Sequence, residues 1–288
     1  MAMQRKDVLD VNTVEPRPLS YGLAPGGMVQ ELAIDEDTFA NHEVITFPEG
    51  WSSPERGYFE AGMDLYMLSG DLSIGNQRLG TASYSYLPPG LAVGPFSTVE
   101  GCRFIAFNAA TQKFVRSDKS RADADEAAYE PNNLTYMQPW KDPMQDLVKK
   151  STWKDPETGK GARPVGVVTK TLRRNDERKE LVALTAQVSG FIDPGTEVHP
   201  HNECLYLISG DAYIGHTYDN KREESRDHIV LTKDHYISRH PGIYHGPVTT
   251  QNGTLWLIHL SDGYTGIFNE VEGWEGMVTD YLSETSYI

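Results

Sequence analysis

A chain of 288 residues has room for two ordinary domains of about 100–150 residues, each with its own core. Apolar residues make up 39% and charged residues 23%, with 26 glycines and 17 prolines scattered along the chain, which is the balance of a globular protein and excludes a disordered one. The net charge of −15, uninterrupted by any Lys/Arg-rich stripe, sets a repulsive field towards phosphate backbones and excludes nucleic acid as the expected partner.

The opening MAMQRKDVLD lacks the roughly 7–15 residue apolar stretch of a signal peptide, and no window approaches the roughly 20 apolar residues of a membrane span. A soluble, cytoplasmic protein without a membrane partner is expected. The first forty residues hold neither cysteine nor histidine. Cys102 and Cys204 fall in opposite halves of the chain, which leaves no disulfide framework and no cysteine zinc cluster; both read as small buried side chains. Ser120 to Trp153 is polar and then Pro-punctuated, a linker with a short helix near Pro143 to Lys150. The basic run Lys170 to Arg178 reads as a solvated turn.

Comparison of the chain with itself is more informative, because repeated architectures appear as similar segments at a fixed offset. DLYMLSGDLSIG at Asp64 to Gly75 matches CLYLISGDAYIG at Cys204 to Gly215, and LPPGLAVGPF at Leu87 to Phe96 matches RHPGIYHGPV at Arg239 to Val248. The second offset is larger, and the polar stretch Tyr218 to Asp227 supplies the extra residues as a longer surface hairpin. Short segments rich in Val, Ile, Leu, Tyr and Phe, punctuated by Ser-Gly-Asp, Pro-Gly and Asn-Gly, make each copy a small all-β barrel or sandwich. The expected domains are 1–119, a linker at 120–153, and 154–288.

GTEVHPHNECLYLISG, Gly195 to Gly210, and PGIYH, Pro241 to His245, resemble the two cupin motifs, and the phrasing FPEGW, LYMLSGDL and YLPPGLAVGP is most similar to cupins of the anti-sigma-factor type. The two copies cover most of the chain. The resemblance implies two tandem cupin jelly-roll barrels, a bicupin, with a metal inside a barrel mouth and a homodimer built by strand exchange. Laying the copies together puts Phe59, Ala61, Met63 and Val93 opposite His199, His201, Glu203 and His245. Every candidate ligand is apolar in the other half, so a degenerate first barrel and a metal-bearing second one are expected.

Strand alternation points residues 199, 201 and 203 to one side, and His245 arrives after a Pro-Gly turn. Imidazoles with one carboxylate suit Fe(II), Mn(II), Zn(II), Ni(II) or Cu(II). The spacing departs from the family pattern, since only Asn202 separates His201 from Glu203 where cupins place three or four residues. An extended run from 199 to 203 spans roughly 13 Å at about 3.3 Å per residue, so the strand must bend, and Pro200 is the place for it. A second register replaces His201 by Glu197. The three-histidine set is preferred because imidazole is the commonest ligand for these metals. Tyr236, Arg239, His240, Tyr244, Trp256 and His259 are further polar candidates near the mouth, of which His240 and Tyr244 flank the ligand turn and are the expected catalytic pair.

The site implies a metal-dependent enzyme acting on a small oxygen-bearing organic molecule. Resemblance to cupin dioxygenases implies a non-haem Fe(II) enzyme cleaving a C–C bond in a ketone, diketone or hydroxylated aromatic. The alternatives are a redox-neutral isomerase, lyase or decarboxylase, in which His240 or Tyr244 handles protons, and a non-catalytic ligand sensor.

Overall fold

The computed structural model describes residues 3–141, 166–191, 195–198, 200–215, 218–219, 228–246, 248–263 and 267–270. The chain forms two compact units, one of residues 1–4 and 11–139, the other of residues 5–10 and 140–288. Among the described residues the only helical elements are three single 3-10 turns; everything else regular is strand.

The first unit carries a sheet in the order Glu130–Leu134, Ser83–Leu87, Met63–Ile74, Cys102–Asn108, Asn41–Phe47, Met28–Ile34, Arg17–Pro18. Met63–Ile74 is long enough to serve a second face as well, pairing there with Gln77–Gly80 and Phe96–Ser97. Its sequence shows how one strand does both. Met63, Leu65 and Met67 point into the core, and so do Leu72 and Ile74, although the parity has changed between them. Register slips opposite this point, between Arg103 and Phe104, because one extra residue is bulged out and the inward face is kept on both sides of the bend.

The second unit repeats the device. Its sheet runs Lys6–Asp10, His235–Arg239, Asn202–Gly215, Thr254–Ser261, Glu180–Gln187, Val167–Asn175, and the distal half of Asn202–Gly215 pairs with His228–Thr232 and Val248–Thr249. Leu205 and Leu207 face the core before the bulge, Ala212 and Ile214 after it.

The repeated Ser-Gly-Asp is what makes this bend. Gly70 and Gly210 have φ of +75° and +89°, and a Cβ on either would stand 1.9 or 1.8 Å from the carbonyl oxygen of Gly101 or Gly253. The aspartates ending the motif tie down the loop that crosses the bend. Asp71 accepts from the Val99 and Glu100 amides at 3.2 and 3.0 Å, and Asp211 from the Asn252 amide and Thr250 hydroxyl at 2.8 and 3.0 Å. The most visible repeat in the sequence is therefore architectural.

Three expectations need correction. Residues 120–139 are part of the first unit and not a linker, since Glu130–Leu134 pairs with Ser83–Leu87 as its edge strand. Residues 5–10, expected in the first domain, supply the corresponding edge strand of the second unit. The basic run is a strand leading into a hairpin: Lys170 is buried with its ammonium 4.2 Å above the Trp140 ring, and Arg173 pairs with Glu180 at 3.1 Å. The helix expected at Pro143 to Lys150 lies outside the described residues, as do residues 220–227 of the expected hairpin insertion, whose first two residues pair with Ile243–Tyr244.

Candidate functional site

The site is assembled at one end of the second unit's core. Glu203 is the second residue of the strand Asn202–Gly215 and Arg239 closes His235–Arg239, and the two are directly opposite across the ladder, followed inward by Leu205 opposite Ile237. Since Leu205 and Ile237 belong to the apolar core with Leu207, Trp256 and Ile258, alternation places Glu203 and Arg239 on the same inner face. His245 reaches them from the turn at Pro241 and Gly242, where Gly242 has φ of +83°. All three side chains are buried, Arg239 with only 1% of its surface exposed.

One carboxylate oxygen joins them. Glu203 Oε2 lies 3.2 Å from His245 Nε2 and 3.5 Å from Arg239 Nη1. His245 Nδ1 donates to the Ile243 carbonyl at 3.0 Å, which commits its ring proton there and turns Nε2 towards the carboxylate. A lone-pair nitrogen facing a carboxylate oxygen is repulsive unless a positive charge, a proton or a metal ion, lies between them. Two ligands about 2.1 Å from one ion at right angles stand about 3.0 Å apart, so the 3.2 Å separation suits adjacent positions on a shared ion. Donation from the other ring nitrogen to a backbone carbonyl is also the habit of ligating histidines.

The expected set is only partly brought together. His201 is buried, with Nδ1 3.2 Å from the Asn202 carbonyl, and lies against Gly263, where an added Cβ would come within 3.0 Å of the His201 Cβ and 3.2 Å of its ring. Among the described residues no group of three or more His, Cys, Asp or Glu side chains converges as a metal site. His199 lies outside the described residues, and of Glu197 only the backbone is described, paired with Phe268. The two registers therefore stay open. The chain does break between Gly195–Val198 and Asn202–Gly215, with Pro200 and His201 in the bend.

Of the further candidates, Arg239 is the one placed against Glu203. His240, next in the chain, is half-buried in the turn, 3.5 Å from the Pro241 carbonyl. Tyr244 is described in its backbone only, opposite Tyr218. Tyr236 is buried on the opposite face of the sheet, towards Cys204 and Ser238, where burial pushes its phenol well above the ordinary value and the Cys204 thiol up to about 11. His259 pairs with Cys204 across the ladder and shares that outer face. Trp256 belongs to the core, its indole donating to Gln187 Oε1 at 3.3 Å.

The first unit is the internal control. Met63 and Leu87 are cross-strand partners, the counterparts of Glu203 and Arg239, and both lie with Phe59 and Val93 in one apolar cluster. A buried polar cluster of this unit is built from other segments. The Tyr21 hydroxyl donates to Glu43 Oε2, Asn108 Nδ2 donates to Tyr21 and Asn41 at 2.8 Å and to Glu43 at 3.1 Å, and Gln112 Nε2 donates to Asn108 at 3.2 Å. Burial raises the Glu43 carboxyl, tempered by the Tyr21 bond and by Arg17. This cluster has no motif in the sequence, because its members come from three separate segments.

Comparison with known structures shows the fold. A candidate dioxygenase from Nostoc punctiforme superposes with a TM-score of 0.73 at 19% identity, covering 94% of this chain and 88% of that one. A mutant of Bacillus subtilis oxalate decarboxylase gives a TM-score of 0.58 at 12% identity over 97% of this chain and 84% of that one. For Lactobacillus farciminis oxalate decarboxylase in a formate complex the values are 0.54 and 12%, over 98% and 94%. The chain is thus an all-β protein of the jelly-roll, cupin-fold class. It belongs to the family described as a domain of unknown function, DUF4437, which matches residues 12–265. No curated protein matches it. No helix among the described residues is long and apolar enough to cross a membrane.

Proposed function

We propose that the protein is a metal-dependent enzyme whose centre lies in the second barrel, with Glu203 and His245 as two ligands and His199 together with His201, or with Glu197 in its place, completing the set. The observation that carries this is the Glu203–His245 contact of 3.2 Å on the inner face, at positions where the first unit is apolar. The bound ion would supply dioxygen activation or polarisation of a substrate carbonyl, and Fe(II) is the metal we assign. The chain's own residues do the rest. The Ile243 carbonyl holds the His245 ring in orientation, and Leu205, Ile237 and Trp256 line an apolar floor that excludes water from the substrate side. The reaction is oxidative C–C cleavage of a small ketone, diketone or hydroxylated aromatic. A redox-neutral decarboxylase or lyase is the second reading, favoured by the likeness in fold to oxalate decarboxylases.

Elemental analysis of the purified protein beside His245→Ala and Val93→Ala tests the proposal. About one iron per chain is expected in wild type and Val93→Ala, with loss in His245→Ala. Zinc or manganese in its place would move the assignment to the redox-neutral reading. Equal loss in both variants, or no metal under any loading condition, would overturn the proposal.

A further inference from the structure

We propose that the first unit holds a gas site, an apolar cavity inside its barrel that takes dioxygen. This site is independent of the metal centre assigned to the second unit. The cavity measures about 20 Å³ and is walled by Phe59, Met63, Leu65, Leu72 and Leu87, among others. Leu19, half-buried, belongs to the wall as well, so a small molecule need not cross the packed core to enter. Protein interiors are close-packed and leave few voids larger than a water molecule. This one stands where the repeat places chemistry, since Phe59, Met63 and Leu87 are the counterparts of His199, Glu203 and Arg239. Apolar side chains at all three positions have left room at that place in the barrel instead of closing it.

The character of the wall selects the occupant. Its surface is wholly apolar. Tyr21 is the wall residue that carries a hydroxyl, and that hydroxyl donates to Glu43 Oε2 and accepts from Asn108 Nδ2 at 2.8 Å, which ties it away from the cavity. Water needs about 10–15 Å³ and two to four polar partners; it would fit here and find none, and a cavity of that kind stays dry. An ion, a carboxylate or an alcohol would lose its hydration with nothing in exchange. The volume of about 20 Å³ admits a molecule of roughly two non-hydrogen atoms, uncharged and without need of a hydrogen bond. Dioxygen has that size and polarity, and it gains the dispersion contacts that an empty cavity denies its own walls.

Methyl-resolved NMR of the full chain under oxygen and under argon tests this, because dioxygen is paramagnetic and speeds the relaxation of protons beside it. The argon reference removes the effect of any paramagnetic metal elsewhere in the chain. In wild type the oxygen-dependent relaxation of the Met63, Leu65 and Leu72 methyls is expected to exceed by about 3-fold or more that of Leu32 and Ile105, equally buried in the same unit but outside the cavity wall. Xenon, apolar and diamagnetic, is expected to shift the same cavity methyls saturably and to compete the relaxation effect away. Leu65→Phe fills the space and should bring Met63 and Leu72 down to the level of Ile105. Equal relaxation at all five residues in wild type overturns the assignment. So does a cavity signal unchanged in Leu65→Phe, or a xenon shift without oxygen-dependent relaxation, which would mark a void that dioxygen does not occupy. Should the variant not fold, the wild-type contrast and the xenon competition decide by themselves.

Discussion

Glu43 and Glu203 are both carboxylates at inward-facing strand positions, and their neighbours give them different characters. Glu43 accepts from the neutral donors Tyr21 and Asn108, with the Arg17 guanidinium 4.0 Å away, and burial outweighs these in raising its carboxyl above the ordinary range. The folded protein therefore holds that proton to a higher pH than the unfolded chain does. Between the two values the folded state binds more protons, so stability is full below the ordinary carboxyl range and falls as pH rises through the folded value. Glu43→Gln keeps an acceptor for Tyr21 and removes the titration. Urea midpoints measured from about pH 4.3 upward should fall for wild type and stay flatter for the variant; parallel profiles would show that Glu43 is ionised throughout. Arg239 was among the polar candidates near the mouth, but only the pairing of two strands distant in sequence put it, and not His240, against Glu203.

At the scale of elements, the Ser-Gly-Asp bend is the device both units share. Gly210→Ala places a Cβ in a left-handed conformation and against the Gly253 carbonyl, so a loss of about 2–5 kcal/mol is expected in chemical denaturation. Gly190 also has a positive φ, +75°, but nothing lies within 4 Å of an added Cβ, and Gly190→Ala should cost only about 1 kcal/mol. Similar losses at both positions would mean that backbone conformation alone, and not the close approach, makes the bend depend on glycine. The alternation of Leu205 and Leu207 with Cys204 and Tyr206 made this strand legible, whereas the bulge that switches its parity shows only as an interruption in the pattern.

For the whole molecule, the edge strands decide where the units end. In each, the strand carrying Leu87 or Arg239 has an outer neighbour from beyond the repeat, Glu130–Leu134 in one and Lys6–Asp10 in the other. Deleting residues 1–10 would open the edge beside Arg239, leaving unpaired backbone groups next to the candidate site. A fall in Tm of about 5–10 °C, with a tendency to aggregate, is expected by scanning calorimetry and light scattering. An unchanged transition would show that the second unit is complete without its N-terminal strand.

The β class, the duplication and the asymmetry between the two copies were determined by the sequence alone, because strand alternation and glycine bends are local and repeat wherever the same residues recur. Tertiary structure alone decided which segments close each sheet, that Glu203 meets Arg239 and His245, and that Tyr21, Glu43 and Asn108 form one buried cluster. These are contacts between residues far apart in the chain, and local pattern carries no information about which distant edge a strand or side chain will meet.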